Sequence, residues 1–397
     1  MTTDNLRAEK KSDTHAEIML YVHFPFCVKK CDYCDFLSFR YDNELVKAYL
    51  EALGSEIRSR TDSAYGRSVS SVFFGGGTPS LMTGEEIKSL MELIRENYKL
   101  ADDCEITLEA NPGTLSEDKL KMLKEAGINR LSIGLQSAND ESLKKLGRIH
   151  DLETFEAMYN SARKAGLSNI NIDIMSALPG ETAEAYGRTL EKVLKYKPEH
   201  ISAYSLIIEE GTPFYERYEG GKGLPDEDTE RQMYHLTKDL LSAAGYERYE
   251  ISNYALAGCE CRHNTGYWTG RPYIGLGLGA SGYMESAGAD GKGYIRTRNV
   301  SGLKEYIKDP LQYEESLVLT DEMRMEEYMF LGLRMMQGIA ESGFYDTFGT
   351  CIDDVYGNII KRHINSGLLE KAQGRIRLTD RGIDVSNYVL ADFLMDK

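Results

Sequence analysis

The segment YVHFPFCVKKCDYCDF, residues 21–36, places Cys27, Cys31 and Cys34 within eight consecutive positions. The β-forming residues at its start predict a strand, and the cysteines follow where that strand ends. Three thiols are an odd number for disulfides and one short of the four ligands of a structural zinc ion. The fold and the chemistry of the chain therefore depend on what this C-x3-C-x2-C spacing holds.

The spacing leaves three interpretations open. A zinc site would need a fourth ligand from far along the chain, where Cys259, Cys261 and His263 are candidates. Three core cysteines so close together on one loop would be unusual. A [4Fe–4S] cluster normally takes four thiolates, so with three of them one iron keeps an open coordination position, where a substrate can bind.

The rest of the first 210 residues alternates β-rich runs with amphipathic stretches. Residues 84–98 and 182–196 carry apolar side chains at helical spacing and predict helices. Strand, helix and strand at about thirty-residue intervals indicate parallel βα units. The sequence therefore predicts an α/β fold, a complete or partial (βα)6 TIM-like barrel. Its strands are predicted at residues 18–24, 71–74, 105–110, 130–136, 169–175 and 200–206.

The pattern changes after residue 250. Residues 259–283 are rich in Gly, Cys and aromatic side chains and are interpreted as loops with one buried strand. Near residue 320 a long helix begins, and LLEKAQGRIRLT, residues 368–379, predicts a hairpin with a two-residue turn. We predict a flexible segment, the barrel, a connecting region and a winged-helix-like domain. Their bounds are 1–17, 18–250, 251–319 and 320–397.

Charge and composition narrow the class of protein. The chain has 397 residues and a formal net charge of −16, which argues against a general nucleic-acid binder. The N-terminal residues lack the apolar core of a signal peptide, and no apolar run approaches membrane-spanning length. Seven cysteines without a secretion signal suggest reduced thiols and a cytoplasmic location. Two of them, Cys104 and Cys351, have apolar sequence neighbours and are expected in the core.

Polar residues are predicted at the mouth of the barrel, where the active sites of such folds form. Gly76 and Gly77 allow a ligand to approach the backbone closely, and Thr78 adds a hydroxyl. Other polar side chains can bind hydroxyls and a carboxylate. Taken singly, a strand-end carboxylate commonly caps a helix and a loop Arg is commonly solvated. These further residues are Glu109, Gln136, Arg148 and Asp173.

The cysteine spacing, with Tyr33 before the last Cys, resembles the radical S-adenosylmethionine superfamily. Within it, YVHFPFC, FGGGTPS, LEANPG and DIMSALPG resemble the oxygen-independent coproporphyrinogen III oxidase family. The resemblance implies a [4Fe–4S] cluster held by Cys27, Cys31 and Cys34, with S-adenosylmethionine on the fourth iron as the source of a 5′-deoxyadenosyl radical. It also implies S-adenosylmethionine contacts at Tyr21, Tyr33, Gly76, Gly77, Thr78, Glu109, Gln136, Arg148 and Asp173.

Two features are similar to the heme-chaperone branch of that family. Phe36 stands where the decarboxylating oxidases carry a further Cys, and HNTGYW, residues 263–268, fits the H-N-x-x-Y-W signature of the branch. The resemblance implies heme binding, with His263 as an iron ligand and Tyr267 and Trp268 beside the porphyrin. It also implies transfer of heme to apo-hemoproteins, respiratory ones included, and at most peripheral membrane association. Oxidase activity is the alternative, and the sequence leaves monomer and dimer open.

Overall fold

The computed structural model describes residues 17–286 and 293–395. The predicted flexible segment lies outside the described residues except for its last position, Glu17, which begins the first strand. The helices are α1 (Asn43–Ser59), α2 (Gly84–Asn97), α3 (Glu117–Glu125), α4 (Asp140–Lys145), α5 (Leu152–Lys164), α6 (Ala183–Tyr196), α7 (Pro213–Arg217), α8 (Glu227–Ala243), α9 (Arg262–Trp268), α10 (Leu303–Lys308), α11 (Asp321–Gly332), α12 (Glu341–Phe348), α13 (Ile352–Asn365), α14 (Asp380–Asp384) and α15 (Ser386–Ala391).

The strands form one large sheet and two small ones. They are β1 (Glu17–Phe24), β2 (Phe26–Cys27), β3 (Phe39–Arg40), β4 (Ser68–Gly76), β5 (Leu100–Ala110), β6 (Arg130–Gln136), β7 (Ile170–Ser176), β8 (His200–Ser205), β9 (Glu247–Arg248), β10 (Asn253–Ala255), β11 (Tyr273–Leu276), β12 (Ser281–Ser286), β13 (Gly293–Asn299), β14 (Tyr313–Leu319), β15 (Ile339–Ala340), β16 (Leu369–Ala372) and β17 (Arg375–Leu378).

The large sheet confirms the predicted α/β architecture. Its order is β14-β13-β12-β11-β1-β4-β5-β6-β7-β8-β10-β9, and β1 and β4 to β8 run parallel in chain order. β1 pairs on its other side with β11, and β8 pairs with β10, so the barrel is partial. β5 begins five residues before its predicted start, because Leu100 pairs with Val69 ahead of the exposed Asp102 and Asp103.

Helix α2 shows how the outer layer is specified. The hydroxyl of Thr83 accepts from the Glu86 amide, and the Glu86 carboxylate accepts from the Thr83 amide, which closes a capping box at the predicted start. One face of the helix buries Ile87, Met91 and Ile94 against the sheet. Each such side chain contributes about 1.5–3 kcal/mol by leaving water.

Residues 259–283 differ from the predicted loops with one buried strand. They contain helix α9 as well as β11 and the start of β12, which pairs with β11. The glycines that suggested loops serve close approach of chain segments. A Cβ on Gly275 would lie 2.0 Å from the Ser281 carbonyl oxygen, and one on Gly277 would lie 2.5 Å from the Tyr49 hydroxyl. A glycine-rich segment is therefore compatible with a packed strand here.

The C-terminal residues form a unit with its own core, which includes Phe344, Ile360 and Ile376. The predicted hairpin is β16 and β17, and its turn residues Gln373 and Gly374 both have positive φ. This conformation is the one that two-residue hairpin turns favour. Of the two cysteines predicted in the core, Cys104 is buried but Cys351 is exposed. Cys351 is exposed because it lies at the N-cap position of α13, outside the helix face that packs.

No helix in the described part of the chain combines the length and the apolarity that crossing a membrane would require.

Candidate functional site

The carboxyl ends of the parallel strands open onto a cavity of about 400 Å³. Strand ends on this side of a βα barrel are where its loops build active sites. Residues from the ends of five strands, β4 to β8, and from the cysteine segment meet here, although Cys27 and Glu209 of this lining are 182 positions apart in the chain. The predicted residues that line the cavity are Cys27, Cys31, Tyr33, Cys34, Gly76, Gly77, Thr78, Glu109, Gln136, Arg148 and Asp173.

Cys27 ends the short strand β2, Cys31 and Cys34 lie on the loop that follows, and all three are partly buried at the cavity. The Cys27 sulfur is 3.4 Å from the Thr78 hydroxyl oxygen. Burial raises the pKa of the Cys34 thiol to about 11 and raises that of Cys27 as well. Both thiols are therefore protonated at neutral pH in the metal-free chain, and metal binding must release those protons.

The donor set fits an iron–sulfur cluster. Within residues 17–286 and 293–395, no three His, Cys, Asp or Glu side chains converge as ligands of one metal ion would. A [4Fe–4S] cluster does not need that convergence, because each thiolate binds a different iron. Three thiols at the edge of a cavity lined by polar side chains match a cluster that leaves its remaining iron open toward the cavity.

The glycine loop at the end of β4 is fitted tightly under the cysteine loop. Gly76 has a φ of +111°, and its amide donates to the Glu109 carboxylate at 3.2 Å. A Cβ on Gly77 would lie 2.7 Å from the Phe26 carbonyl oxygen, a backbone atom that cannot give way cheaply. The loop therefore presents main chain to the cavity and leaves no room beneath it for a side chain.

Arg148 is a partly buried cation beside the cysteines. Its Nη1 donates to the Cys31 sulfur at 3.5 Å, and its Nη2 donates to the Asn111 side-chain oxygen at 2.8 Å and to the Gly134 carbonyl. The pKa of Arg148 lies above its usual value. Burial acts to lower this pKa, but the neighbouring Tyr33 and Cys31 raise it by more, so the guanidinium stays charged. Its Nε is buried without a hydrogen-bond partner in the structure, which fits the approach of an anionic ligand.

Two partly buried carboxyl groups face the cavity from β5 and β7. Burial, and then the nearby Asp173, raise the pKa of Glu109 to about 8. Burial also raises the pKa of Asp173, which accepts from the Ser132 hydroxyl at 3.1 Å and from the Asn171 amide at 2.7 Å. At neutral pH Glu109 is mostly protonated, so it can donate a hydrogen bond to a ligand hydroxyl as well as accept one.

Gln136, Tyr33 and Tyr21 occupy three different positions. Gln136 has a φ of +68° at the end of β6 and accepts from the Tyr204 hydroxyl at 3.0 Å. Tyr33 lines the cavity and packs on Phe214. Tyr21 lies outside the cavity lining, where its hydroxyl is 3.0 Å from His23 Nδ1 and its ring stacks on Phe73. Tyr21 therefore supports the glycine loop from below rather than facing the cavity.

The residues of the H-N-x-x-Y-W motif do not line this cavity. They lie on helix α9, which packs against β4. His263 is fully buried and stacks on Phe73 with ring centroids 5.0 Å apart. Its Nδ1 is 2.9 Å from the Ser71 hydroxyl and its Nε2 is 3.0 Å from the Tyr267 hydroxyl. Burial, and then the charge of Arg130, lower its pKa to about 3, so the ring is neutral.

This arrangement does not present His263 to a heme iron. Both ring nitrogens have hydrogen-bond partners and both lie inside the barrel, so iron ligation would require one of those bonds to break. Trp268 is only half-buried, and the Arg334 guanidinium carbon lies 4.3 Å from the centroid of its ring.

Several cavity residues were missed from the sequence. The Asn111 side chain connects Thr78 to Arg148. Its amide donates to the Thr78 hydroxyl at 2.9 Å, and its oxygen accepts from the Arg148 guanidinium at 2.8 Å. Tyr204 and Ser132 also line the cavity. Asn111 follows the end of β5 just as Glu109 closes it, so its position at a strand end was the available signal. Nothing in the sequence pattern separated Ser132 from an ordinary strand residue.

Comparison with known proteins agrees with this fold. The model of the radical SAM superfamily matches residues 21–193, and that of the HemN C-terminal domain matches residues 319–385. The solved structure of coproporphyrinogen III oxidase (HemN) from Escherichia coli, a radical SAM enzyme, superposes with a TM-score of 0.83 at 25% identity. That superposition covers 96% of this chain and 91% of the other.

Curated relatives narrow the class further. The heme chaperone HemW of Bacillus subtilis is 37% identical over 380 residues, which span 94% of this chain and 98% of the relative. The heme chaperone HemW of Escherichia coli is 35% identical over 381 residues, 96% and 98% of the two chains. The chain belongs to the radical SAM superfamily, in the family of these HemW proteins.

Proposed function

We propose that this chain is a heme chaperone that carries a [4Fe–4S] cluster and S-adenosylmethionine on its barrel and passes heme to apo-hemoproteins. The observation that carries the proposal is the similarity to proteins named heme chaperone HemW over almost the whole length of both chains. Phe36, at the position of the oxidases' additional Cys, supports the same branch and lines the mouth of the cavity with an exposed ring.

Different cavity residues would bind the cluster and the S-adenosylmethionine. Cys27, Cys31 and Cys34 would supply the three thiolates, and Arg148 would bind the ligand carboxylate, since its cation is already desolvated. When bound and reduced, the cluster supplies the electron that cleaves S-adenosylmethionine in radical SAM enzymes.

Side chains from neighbouring strands complete the pocket. Glu109 and Asp173 would bind ribose hydroxyls, and the protonated Glu109 can act as a donor. Gln136 and Tyr33 would flank the nucleoside, while Gly76, Gly77 and Thr78 form the backbone cradle. Tyr21 would act on this site through the glycine loop. Heme would bind separately, at the motif of His263, Tyr267 and Trp268.

The remaining proposals follow from the same assignment. The chain would work in the cytoplasm, and its acceptors would be apo-hemoproteins, with respiratory ones at the membrane surface reached by peripheral association. We also propose that the boundaries at residues 250 and 319 separate regions of different function. β11 to β14 of the 251–319 region continue the barrel sheet, so this region connects the two ligand sites through regular structure.

A second candidate is oxidative decarboxylation of coproporphyrinogen III. The observation that favours it is the set of predicted residues that line the cavity, together with the superposition on HemN. Anaerobic incubation of the reconstituted protein with coproporphyrinogen III, S-adenosylmethionine and a reductant separates the candidates. We expect no protoporphyrinogen. Formation of protoporphyrinogen would support the oxidase assignment and contradict the chaperone assignment.

A heme titration of the reconstituted full-length chain tests the proposal directly. The Soret band should report saturable binding, and iron and acid-labile sulfide should be present at about four each per chain. His263→Ala removes the ring that bonds to Tyr267 and so should weaken heme binding at the motif, whereas His150→Ala, a control at another buried His that bonds to the Leu135 carbonyl, should not. A wild type without saturable heme binding would refute the chaperone function.

A further inference from the structure

A series of side-chain hydrogen bonds runs from Cys27 to Cys31 along the cavity. The Cys27 sulfur is 3.4 Å from the Thr78 hydroxyl oxygen, and the Arg148 Nη1 atom donates to the Cys31 sulfur at 3.5 Å. Asn111 lies between these two contacts. Its amide donates to the Thr78 hydroxyl at 2.9 Å, and its side-chain oxygen accepts from Arg148 Nη2 at 2.8 Å. The series therefore connects two cluster cysteines through one asparagine at the end of β5.

The direction of each hydrogen bond in this series follows from the groups involved. A guanidinium can only donate, so the Asn111 oxygen faces Arg148 and the Asn111 amide faces Thr78. The Thr78 oxygen accepts from Asn111, which leaves the hydroxyl proton free to point at the Cys27 sulfur. At the other end, Arg148 donates to the Cys31 sulfur. Asn111 thus sets the direction of a donor at each of two sulfurs.

The main chain holds Asn111 in place. Its backbone amide donates to the Ser80 hydroxyl at 3.3 Å, and its carbonyl accepts from the Thr114 hydroxyl at 2.6 Å. The Ser80 and Thr114 hydroxyl oxygens are 2.6 Å apart, which closes a ring of three hydrogen bonds around the residue. The turn after β5 therefore fixes the position from which the Asn111 side chain reaches the cavity.

The neighbouring strand β6 leaves room for the contact between Asn111 and Arg148. A Cβ on Gly134 would lie 3.0 Å from Arg148 Nη2 and 3.3 Å from the Asn111 side-chain oxygen. The Gly134 carbonyl also accepts from Arg148 Nη2. A larger residue at position 134 would push the two side chains apart, so the strand and the asparagine are fitted to one position of the guanidinium.

We propose that Asn111 is a positioning residue for both cofactors of the barrel: it orients the Arg148 cation that would bind the carboxylate of S-adenosylmethionine, and it orients the Thr78 hydroxyl toward the Cys27 sulfur. The inference rests on the proposed cluster and S-adenosylmethionine site. Hydrogen bonds to the sulfurs of an iron–sulfur cluster are one determinant of its reduction potential. Residues that orient the direct partners of a metal site typically contribute 10- to 100-fold to affinity or activity.

Two substitutions of Asn111 separate its two hydrogen bonds. Asn111→Leu has a similar volume and removes both. Asn111→Asp keeps an acceptor for Arg148 but loses the donor to Thr78, and the new carboxylate competes with the ligand for the guanidinium. Equilibrium binding of S-adenosylmethionine to the anaerobically reconstituted full-length chain should be about 10-fold weaker in both variants.

Thermal unfolding shows whether this loss of affinity has a structural cause. In Asn111→Asp the new carboxylate can pair with Arg148, so we expect the unfolding temperature of the wild type to be kept. A fall in affinity at unchanged stability is what a positioning residue predicts. A residue that only supports the fold would lose affinity and stability together.

The cluster gives a second readout, which does not involve S-adenosylmethionine. A redox titration followed by electron paramagnetic resonance measures the midpoint potential of the cluster in the absence of the ligand. In Asn111→Leu this potential should become more negative, because Thr78 and Arg148 are no longer held against the cysteine sulfurs. Hydrogen bonds to these sulfurs favour the reduced cluster, which carries the greater negative charge.

Asn129 is the matched control. It also uses both ends of its side chain beside β5, since its amide donates to the Cys104 carbonyl at 2.8 Å and its oxygen accepts from the Ile106 amide at 2.8 Å. Asn129 does not line the cavity. Asn129→Leu and Asn129→Asp should therefore leave both the affinity for S-adenosylmethionine and the midpoint potential at their wild-type values.

The outcomes separate this inference from the proposed function. Wild-type affinity and wild-type potential in both Asn111 variants would overturn the positioning role and leave the cofactor assignment standing. A loss of affinity confined to variants that also lose thermal stability would do the same. A wild type that assembles no iron–sulfur cluster on reconstitution would overturn both.

Discussion

The Nη1 atom of Arg148 lies 3.5 Å from the sulfur of Cys31, and this contact joins the cation of the cavity to the cysteine loop. Arg148 is fixed on its other side by the Asn111 side chain and the Gly134 carbonyl. A ligand bound to the open iron of a cluster on these cysteines would therefore meet a positive charge that is already positioned.

Arg148→Met should weaken S-adenosylmethionine binding about 10- to 100-fold, since a hydrogen bond to a charged group contributes about 1.5–3 kcal/mol. Equilibrium binding to the anaerobically reconstituted protein measures the effect. Arg163→Met, on the outer helix α5, serves as the control because Arg163 pairs with Glu199 away from the cavity. Equal affinity in Arg148→Met and wild type would remove Arg148 from the ligand site.

Glu109 should make the stability of the ligand-free chain fall as pH rises. Its pKa is raised from 4.5 to about 8 in the folded state, so the folded protein binds a proton more tightly than the unfolded chain does. The contribution to the free energy of unfolding is full below pH 4.5 and is lost as pH rises toward 8. It amounts to at most about 5 kcal/mol.

Urea unfolding at pH 5, 6.5 and 8 measures this dependence. Glu109→Gln cannot ionise and should flatten the fall, whereas Glu117→Gln, at the exposed start of α3, should leave it as in the wild type. An unchanged pH profile in Glu109→Gln would show that another group, such as Asp173, dominates the window.

Gly77→Ala should disrupt the glycine loop. The added Cβ would lie 2.7 Å from the Phe26 carbonyl, and overpacking against backbone costs about 1–3 kcal/mol. Thermal unfolding and the iron content after reconstitution should both decrease. Gly54→Ala is the control, because Gly54 lies within helix α1 with only ordinary contacts at 3.5 Å, where Ala is expected to be neutral or stabilising.

Glu105 should prove necessary for the position of the heme motif. Its buried carboxylate accepts from the Cys261 thiol at 3.5 Å and from the Arg262 and His263 amides at 3.1 and 3.2 Å. Glu105→Ala would leave these donors unpaired and would remove one of the acidic groups near the buried Arg130, at a cost of about 3–5 kcal/mol.

The measurement is urea unfolding together with the emission maximum of Trp268. Glu105→Gln keeps an acceptor and should lose less stability than Glu105→Ala. An Ala variant as stable as the wild type, with unshifted emission, would show that α9 is held by other contacts.

The barrel and its mouth could be predicted because their signals are local. Strands β1 and β4 to β8 alternate with capped amphipathic helices, and cavity-lining residues lie at or near the ends of β4 to β8, as with Glu109 and Gln136. Parallel strands in chain order then bring those ends together without further information.

The surroundings of the heme motif could not be predicted, because they depend on contacts across long separations in the chain. His263 bonds to Ser71, and Trp268 is covered by Arg334. Spacing within HNTGYW indicates which residues belong together but not what faces them. The glycines after residue 270 also read as loops because their tight packing partners, such as Tyr49, lie on distant elements.

The placement of β1 between β4 and β11 bears on synthesis of the chain. One edge of β1 finds its neighbour within about fifty residues, but the other must wait until Tyr273–Leu276 has been made. Chains emerge N-terminus first, so the nascent barrel carries an unpaired strand edge through most of translation. An unpaired strand edge can pair with a strand of another chain. We therefore expect the ribosome-bound chain to aggregate more readily than the finished fold.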